Sequence, residues 1–276
     1  MKIGVIIQAR LSSSRLPNKV LKSLPYGSDV NVLQQVIRRV SNSKIIDEIV
    51  VATSTNQEDD EIVNVAKKEG IHFFRGSLEN VLDRFYNAAL KYHFDVIVRV
   101  TSDNPCVDSN VLDKVIKKHL DYNADYTTTA LVNHFPIGIG CEVMNFEVLK
   151  ESYFNATKNY EKEHVTPYIY KSHPEKFKIL KYFEEDDYSD IRITLDTIHD
   201  YLLMCLIFDE LYYDNPFFNL KDILKLFENK PWIREINANI DQKKVCNSLD
   251  EELDETIKLC EKQDLNKAIN FINANR

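Results

Sequence analysis

The feature that most constrains the fold is an alternation running through the first half of the chain. Short, nearly uninterrupted apolar runs, "KIGVIIQA", "EIVVATS", "IHFFRG" and "DVIVRVTSD", take turns with segments whose apolar residues recur at helical spacing. The latter are "VLQQVIRRV", "DDEIVNVAKKEG" (closed by Gly70), "LENVLDRFYNAALKYH" and "SNVLDKVIKKHLDY". A strand that is apolar at successive positions has no face to give to water, so both faces must be covered. The expected class is α/β, a parallel sheet with helices on both sides.

Beyond about residue 125 the pattern changes. "DYTTTALVNHFPIGIGCEVMNF" reads as extended structure around a turn at Gly138 and Gly140. "NYEKEHVTPYIYKS" reads as a helix that Pro167 must open or break, "FKILKYFEEDDYSDIRITLD" as a pair of strands, and "IHDYLLMCLIFDELYY" as an apolar helix. No low-complexity linker divides the halves, so the second is expected to complete a mixed sheet. Residues 248–276 are polar and helix-prone, with Leu249, Leu253 and Ile257 at spacing four and Leu265, Ile269 and Ile272 as a second stripe. The expected organisation is one domain over 1–247 and a helical extension over 248–276.

Charge and cysteine usage exclude several classes. A formal net charge of -8 over 276 residues argues against broad nucleic-acid binding, which needs a positive surface to displace counterions. No apolar run approaches the roughly 20 residues that span a bilayer, and "MKIGVIIQAR" reads as a strand rather than a cleavable signal, so a cytoplasmic location is expected. Cys106, Cys141, Cys205, Cys246 and Cys260 are scattered without a C-x-x-C pair, which argues against structural zinc or a disulfide framework. Most are expected to be small buried apolar residues.

In parallel sheets ligands gather beyond the carboxyl ends of the strands. The loop after the first strand, "QARLSSSRLPNK", places Arg10, Arg15 and Lys19 beside Ser12, Ser13 and Ser14, with Pro17 stiffening the approach to the last cation. It lacks the glycines of a P-loop, and its spacing fits either a phosphate cradle or a solvated basic turn. Replacing Lys19 is expected to leave the fold intact, as for an exposed loop charge. Asp103 follows "DVIVRV" and Asp196 follows "IRITL". Each taken alone is a turn residue or an N-cap; taken together at two strand ends they fit a magnesium ion, which needs few protein ligands.

Six separated stretches, "IIQARLSSSRLPNKVL", "FFRGSLENVLDRF", "VIVRVTSDNPCVD", "FPIGIGCEV", "EHVTPYI" and "RITLDTIHD", appear in the order of the motifs of the SpsF-type cytidylyltransferases. The chain resembles that family over about residues 1–240, and the family is similar to CMP-sialate and CMP-KDO synthetases. The resemblance implies a nucleotide-diphospho-sugar transferase-like, Rossmann-like α/β/α sandwich with a mixed, mainly parallel sheet. It also implies a homodimer and the transfer of CMP from CTP to an acidic sugar, with release of pyrophosphate and Mg2+ as cofactor. Carried over by position, Arg10, Arg15 and Lys19 fall on the triphosphate loop with Ala9 and Ser12–Ser14. Asp103 and Asp196 fall on the metal pair, Arg75, Ser77 and Asp83 on the segment flanking the nucleotide, and Glu142 and His164 on the sugar side. The chain departs from the family in having Ser12 where a glycine is common and Gly140 where an aspartate is common. A nucleotide-sugar-dependent glycosyltransferase and a non-catalytic CTP-binding subunit are the rival readings.

Overall fold

The apolar runs become the strands of one sheet in the computed structural model, which describes residues 1–132, 134–240 and 248–276. Cys246 and the expected boundary after residue 247 lie outside the described residues. Four strands, β1 (Ile3–Gln8), β2 (Glu48–Ser54), β3 (His72–Gly76) and β4 (Val96–Thr101), alternate with α1 (Val32–Ser41), α2 (Asp60–Lys68) and α3 (Val81–Tyr92). After α4 (Ser109–Asp121) come β5 (Tyr126–Thr128), β6 (Glu142–Asn145), α5 (Phe146–Asn155), α6 (Asn159–His164) and β7 (Ile179–Lys181). Two further helices, α7 (Ile198–Leu211) and α8 (Leu220–Asn229), follow.

The strand order is β3-β2-β1-β4-β6-β5-β7. β6 runs antiparallel to β4 and β5, and all other pairings are parallel. This is the mixed, mainly parallel sheet the sequence implies. Alternation along β1 divides the core: Ile3, Val5 and Ile7 pack with residues of α1, α4, α7 and α8, whereas Ile6 packs with Phe85 of α3 and Leu149 of α5. Each face is thus closed by helices, as continuous apolar strands require.

The expected pair of strands in "FKILKYFEEDDYSDIRITLD" is corrected, because only Ile179–Lys181 joins the sheet. Residues 191–195 lie instead along the loop before β6 and the end of β4. Ile137 N–H donates to the Ile191 carbonyl at 2.9 Å, Ile193 N–H to the Ile137 carbonyl at 2.7 Å, and Leu195 N–H to the Asp103 carbonyl at 2.8 Å. Gly138 permits this: it has φ +111°, and a Cβ there would stand 2.3 Å from the Ile193 carbonyl oxygen. The expected helix "NYEKEHVTPYIYKS" is also split. α6 stops at His164, Val165 adopts φ 72°, and Pro167 opens a separate helical turn over Tyr168–Ser172.

The chain divides into two compact units, Met1–Ile240 and Asp241–Arg276. In the second, α9 (Leu249–Lys262) and α10 (Asn266–Ala274) are joined by a turn in which Leu265 N–H donates to the Cys260 carbonyl at 2.8 Å. Among the described residues no helix is long and apolar enough to cross a membrane. Cys106, Cys141, Cys205 and Cys260 are buried and free, and burial pushes the Cys106 thiol up to about 12. Such a thiol is no nucleophile at neutral pH.

Candidate functional site

The loop after β1 is built to present its charges. Ala9 is buried and its N–H continues the strand pairing to the Ala52 carbonyl at 3.1 Å. Leu11 and Leu16 are buried anchors, and Leu11 N–H donates to the buried Asp59 carboxylate at 2.8 Å. Asn18 takes a left-handed conformation, φ 55°, which asparagine tolerates, and its N–H closes the loop onto the Leu11 carbonyl at 3.4 Å. Between these anchors Arg10, Ser12, Ser14 and Arg15 are exposed and Ser13 is half-buried, its hydroxyl accepting from Leu16 N–H at 3.5 Å.

Lys19 is not the exposed loop charge expected from its position. Its side chain is 12% exposed, and its ammonium donates at 2.8 Å to Asp103 Oδ2 and at 2.8 Å to Asp196 Oδ1. The expectation that its removal leaves the fold untouched is therefore corrected: two carboxylates would be left facing each other. Asp196 Oδ2 also accepts from Arg192 at 3.1 Å and forms an ion pair with Arg15 at 3.1 Å. Two acids and three bases from three segments of the chain thus meet at one point beyond the ends of β1 and β4.

Burial alone would raise the Asp103 carboxyl, but the charge and hydrogen bond of Lys19, with Thr101, hold it below the usual carboxylate range. Burial would lower Lys19, and the two aspartates reverse the sign and raise it. Asp200 anchors the constellation from behind. Its carboxylate accepts from Asp196 N–H at 3.0 Å, Thr197 N–H at 2.9 Å, Arg192 Nε at 2.9 Å and Asn237 Nδ2 at 2.8 Å. Arg192 and Asp200 were not among the expected site residues. The signal for Asp200 was present in "TIHD", where Thr197 and Asp200 form a capping box that starts α7.

Asp103 and Asp196 are the residues here that could hold a divalent cation. Two carboxylates from distant positions already converge on one positive centre, the Lys19 nitrogen, and both offer hard oxygen ligands. Among the described residues no group of three or more His, Cys, Asp and Glu side chains forms a metal cage, so an ion here would rest on two protein carboxylates. Magnesium accepts that number.

The remaining expected residues fall into separate groups. Arg75 is committed to the protein: Nε donates to the Ser54 carbonyl at 2.8 Å, Nη2 to the Asn56 carbonyl at 2.7 Å, and Nη1 pairs with Asp60 at 2.5 Å. It braces the loop after β2. Ser77 is exposed at the β3 to α3 turn and accepts from Asn80 N–H at 3.1 Å. Asp83, in the first turn of α3, accepts from Asn87 at 2.9 Å. Glu142 is buried on β6 and already accepts from Arg99, Tyr126 and, at 2.8 Å, Thr166. Arg99 in turn donates to Gln8 at 3.1 Å, which links this network to the end of β1. His164 is half-buried at the end of α6. The tight turn at Val165, where Thr166 N–H donates to the His164 carbonyl at 2.9 Å, aims the Thr166 hydroxyl at Glu142.

Comparison with known proteins accords with this geometry. The family model described as cytidylyltransferase matches residues 4–271, reaching into the extension that the motif resemblance did not cover. The spore coat polysaccharide biosynthesis protein SpsF of Bacillus subtilis (strain 168) is 40% identical over 203 residues, 71% of this chain and 82% of that protein. A 3-deoxy-manno-octulosonate cytidylyltransferase of Christiangramia forsetii is 33% identical over 118 residues, 42% of this chain and 45% of that one. Among solved structures, a cytidylyltransferase from Leptospira borgpetersenii serovar Hardjo-bovis superposes with a TM-score of 0.79 at 33% identity, covering 89% of this chain and 100% of that one.

Proposed function

The chain belongs to the cytidylyltransferase family, and from that premise we propose that it transfers CMP from CTP to an acidic sugar of the nonulosonic or octulosonic type. The observation that supports this most is the Lys19 ammonium held between Asp103 and Asp196 beside a loop of exposed arginines. The relatives named for spore coat polysaccharide biosynthesis and for 3-deoxy-manno-octulosonate cytidylyl transfer support an acidic-sugar acceptor and a role in glycan synthesis in this reading. A cytoplasmic homodimer is part of the reading, as the family resemblance implies.

The reaction asks for charge stabilisation rather than covalent catalysis. A sugar hydroxyl attacks the α-phosphorus in line and gives up its proton to solvent, a new oxygen–phosphorus bond forms, and the bond to the departing pyrophosphate breaks. Arg10, Arg15 and Lys19 would neutralise the phosphate oxygens, whose charge builds as the pyrophosphate leaves. Asp103 and Asp196 would hold Mg2+, whose chemistry there is to screen the negative charge of the triphosphate. Arg192 and Asp200 keep Asp196 in place, and the Glu142 network fixes the floor beside Gln8.

The test is incubation with CTP, Mg2+ and a panel of 3-deoxy-2-keto acids, reading pyrophosphate and the CMP-sugar. Stoichiometric appearance of both with one acid supports the proposal. Binding of CTP with no pyrophosphate from any acceptor would leave a nucleotide-binding subunit, and consumption of a CMP-sugar without pyrophosphate would point to a glycosyltransferase.

A further inference from the structure

Three arginines are buried among the described residues, and two of them behave as buried cations must. Arg39, 3% exposed, donates from Nε to the Val107 carbonyl at 3.0 Å, from Nη1 to the Pro216 carbonyl at 3.1 Å and from Nη2 to the Phe218 carbonyl, while its plane lies over the Phe218 ring. Arg192, 7% exposed, is shared between Asp196 and Asp200. Arg84, 2% exposed in the first turns of α3, is different. Its Nε and Nη1 are buried and have no hydrogen-bond partner. A buried charge without partners is among the most expensive groups a protein can hold.

The surroundings make the cost larger. Burial, and then repulsion from Arg10, push the Arg84 guanidinium down to about 10, against opposing attraction from Asp59 and Asp83. Asp59 is already engaged by Leu11 N–H and Ser54, and Asp83 by Asn87. The chain nevertheless makes room for this side chain. Its stem passes over Gly76 at the end of β3, where a Cβ would stand 2.8 Å from Arg84 Cγ. A guanidinium on the helix after β3 whose buried Nε and Nη1 have no partner, with neither Asp59 nor Asp83 hydrogen-bonded to it and the Arg10 cation of the loop after β1 acting against it, describes a site missing an anion.

We infer that Arg84, together with Arg10, binds the phosphate chain of the nucleotide. This rests on the cytidylyl-transfer reading and adds to it a residue that neither the loop motif nor the metal pair contains. A planar fork of donors suits phosphate oxygens, and an anion between the two arginines relieves their repulsion. A cytosine ring also offers two acceptors to a guanidinium, but it is neutral and leaves the repulsion standing. Charge therefore selects the phosphate.

The experiment measures binding of CTP, inorganic pyrophosphate and cytidine by calorimetry to the full chain and to Arg84→Met, with thermal melts of both unliganded proteins. Removal of an unpartnered buried charge should leave Arg84→Met at least as stable as the parent. Affinity for pyrophosphate and CTP should fall by about tenfold or more, the worth of a charged hydrogen-bond pair, while cytidine affinity is unchanged. Should Arg84→Met fail to fold, Arg84→Lys keeps the charge, loses the fork, and should show the same ligand ranking with a smaller loss. A parent protein that binds neither CTP nor pyrophosphate would sink the transferase reading itself. A parent that binds both, with a folded variant that binds both equally well, overturns this inference alone, as does a loss confined to cytidine.

Discussion

Asp103 and Asp196 meet on a single ammonium, that of Lys19, each at 2.8 Å. The two carboxylates come from widely separated parts of the chain. Asp103 follows β4 directly, whereas Asp196 is delivered by a segment outside the sheet that is tied to β4 through the Leu195 to Asp103 hydrogen bond. The same backbone bond that brings the second acid to the first also fixes their spacing.

Replacing either acid with asparagine keeps its shape and removes its charge. In the proposed reaction Asp103→Asn and Asp196→Asn should each depress pyrophosphate release by about 100-fold or more, the scale of losing one electrostatic element of a preorganised site. The check is a steady-state assay with CTP and the productive acid, alongside thermal melts that confirm folding. A loss below tenfold in both variants would remove the pair from the mechanism.

Gly138→Ala tests the delivery of Asp196 without touching a charge. The new methyl would clash with the Ile193 carbonyl and sit at an unfavourable positive φ. The expected outcome is a protein destabilised by about 1–3 kcal/mol in urea, with activity lost out of proportion to the small change. Unaltered stability would mean that the segment over residues 191–195 has slack which the hydrogen bonds of Ile137 and Ile193 do not suggest.

The Glu142 network predicts a thermodynamic cycle. Glu142→Ala leaves the Arg99 cation half-buried and deprives Tyr126 and Thr166 of their acceptor, so it should cost about 3–5 kcal/mol. Arg99→Met combined with Glu142→Met removes both charges and should cost less than Glu142→Ala alone, measured by denaturant unfolding. The converse ranking would show that the carboxylate, rather than the pair, is what the fold needs.

How much of this was legible in the sequence follows the range of the interactions involved. β1 to β4 and the helices between them could be read because continuous apolar runs and helical spacing are local signals. Lys19 and Asp103 could be placed at a crevice because the ends of β1 and β4 point there, whereas Asp196 was expected at the end of a strand that does not form. What could not be read was that "IRITL" leaves the sheet, since that depends on Gly138 accepting the Ile193 carbonyl from far along the chain. Nor could Arg84 be told from Arg39, both arginines on amphipathic helices. Only the folded chain shows that one has carbonyls waiting for it and the other does not. Glu142 illustrates the remaining gap, because a motif fixes its position while its partners Tyr126 and Thr166 come from elements the motif does not contain.

The coupled charges set the pH window of stability. Asp103 and Asp200 have lowered folded values, so their contributions are fully present above the ordinary carboxyl value of about 3.9 and are lost as pH falls through the lowered ones. Lys19 has a raised folded value, so its contribution is full below the ordinary lysine value of about 10.4 and is lost as pH rises through the raised one. These three groups alone would hold the melting temperature flat between about pH 5 and 9, but His119, whose imidazole burial holds low, starts the acid fall below about pH 6.5, and the buried Cys106 thiol, pushed up, starts the alkaline fall above about pH 8.5. In Asp103→Asn the acid limb should become shallower. An acid limb of identical slope in that variant would show that other carboxylates set it.

Lys19 and the proposed ion compete for the same two carboxylates, and that competition can be read without any turnover. In the parent protein the ammonium already neutralises Asp103 and Asp196, so Mg2+ without nucleotide has little charge left to relieve. Lys19→Met keeps much of the side-chain volume and leaves two acids facing each other across a largely buried gap, which should lower the melting temperature. Anything that binds the folded form alone stabilises it by mass action, and Mg2+ now has an unneutralised pair to bind. Titrating Mg2+ into Lys19→Met should therefore restore a substantial part of the lost stability, whereas the same titration should barely move the parent. Potassium at matched ionic strength should restore little, because screening is weak at short range in a buried pair. If the variant melts lower and Mg2+ does no more than potassium, the two aspartates do not form a magnesium site, and the metal must be dropped from the proposed reaction.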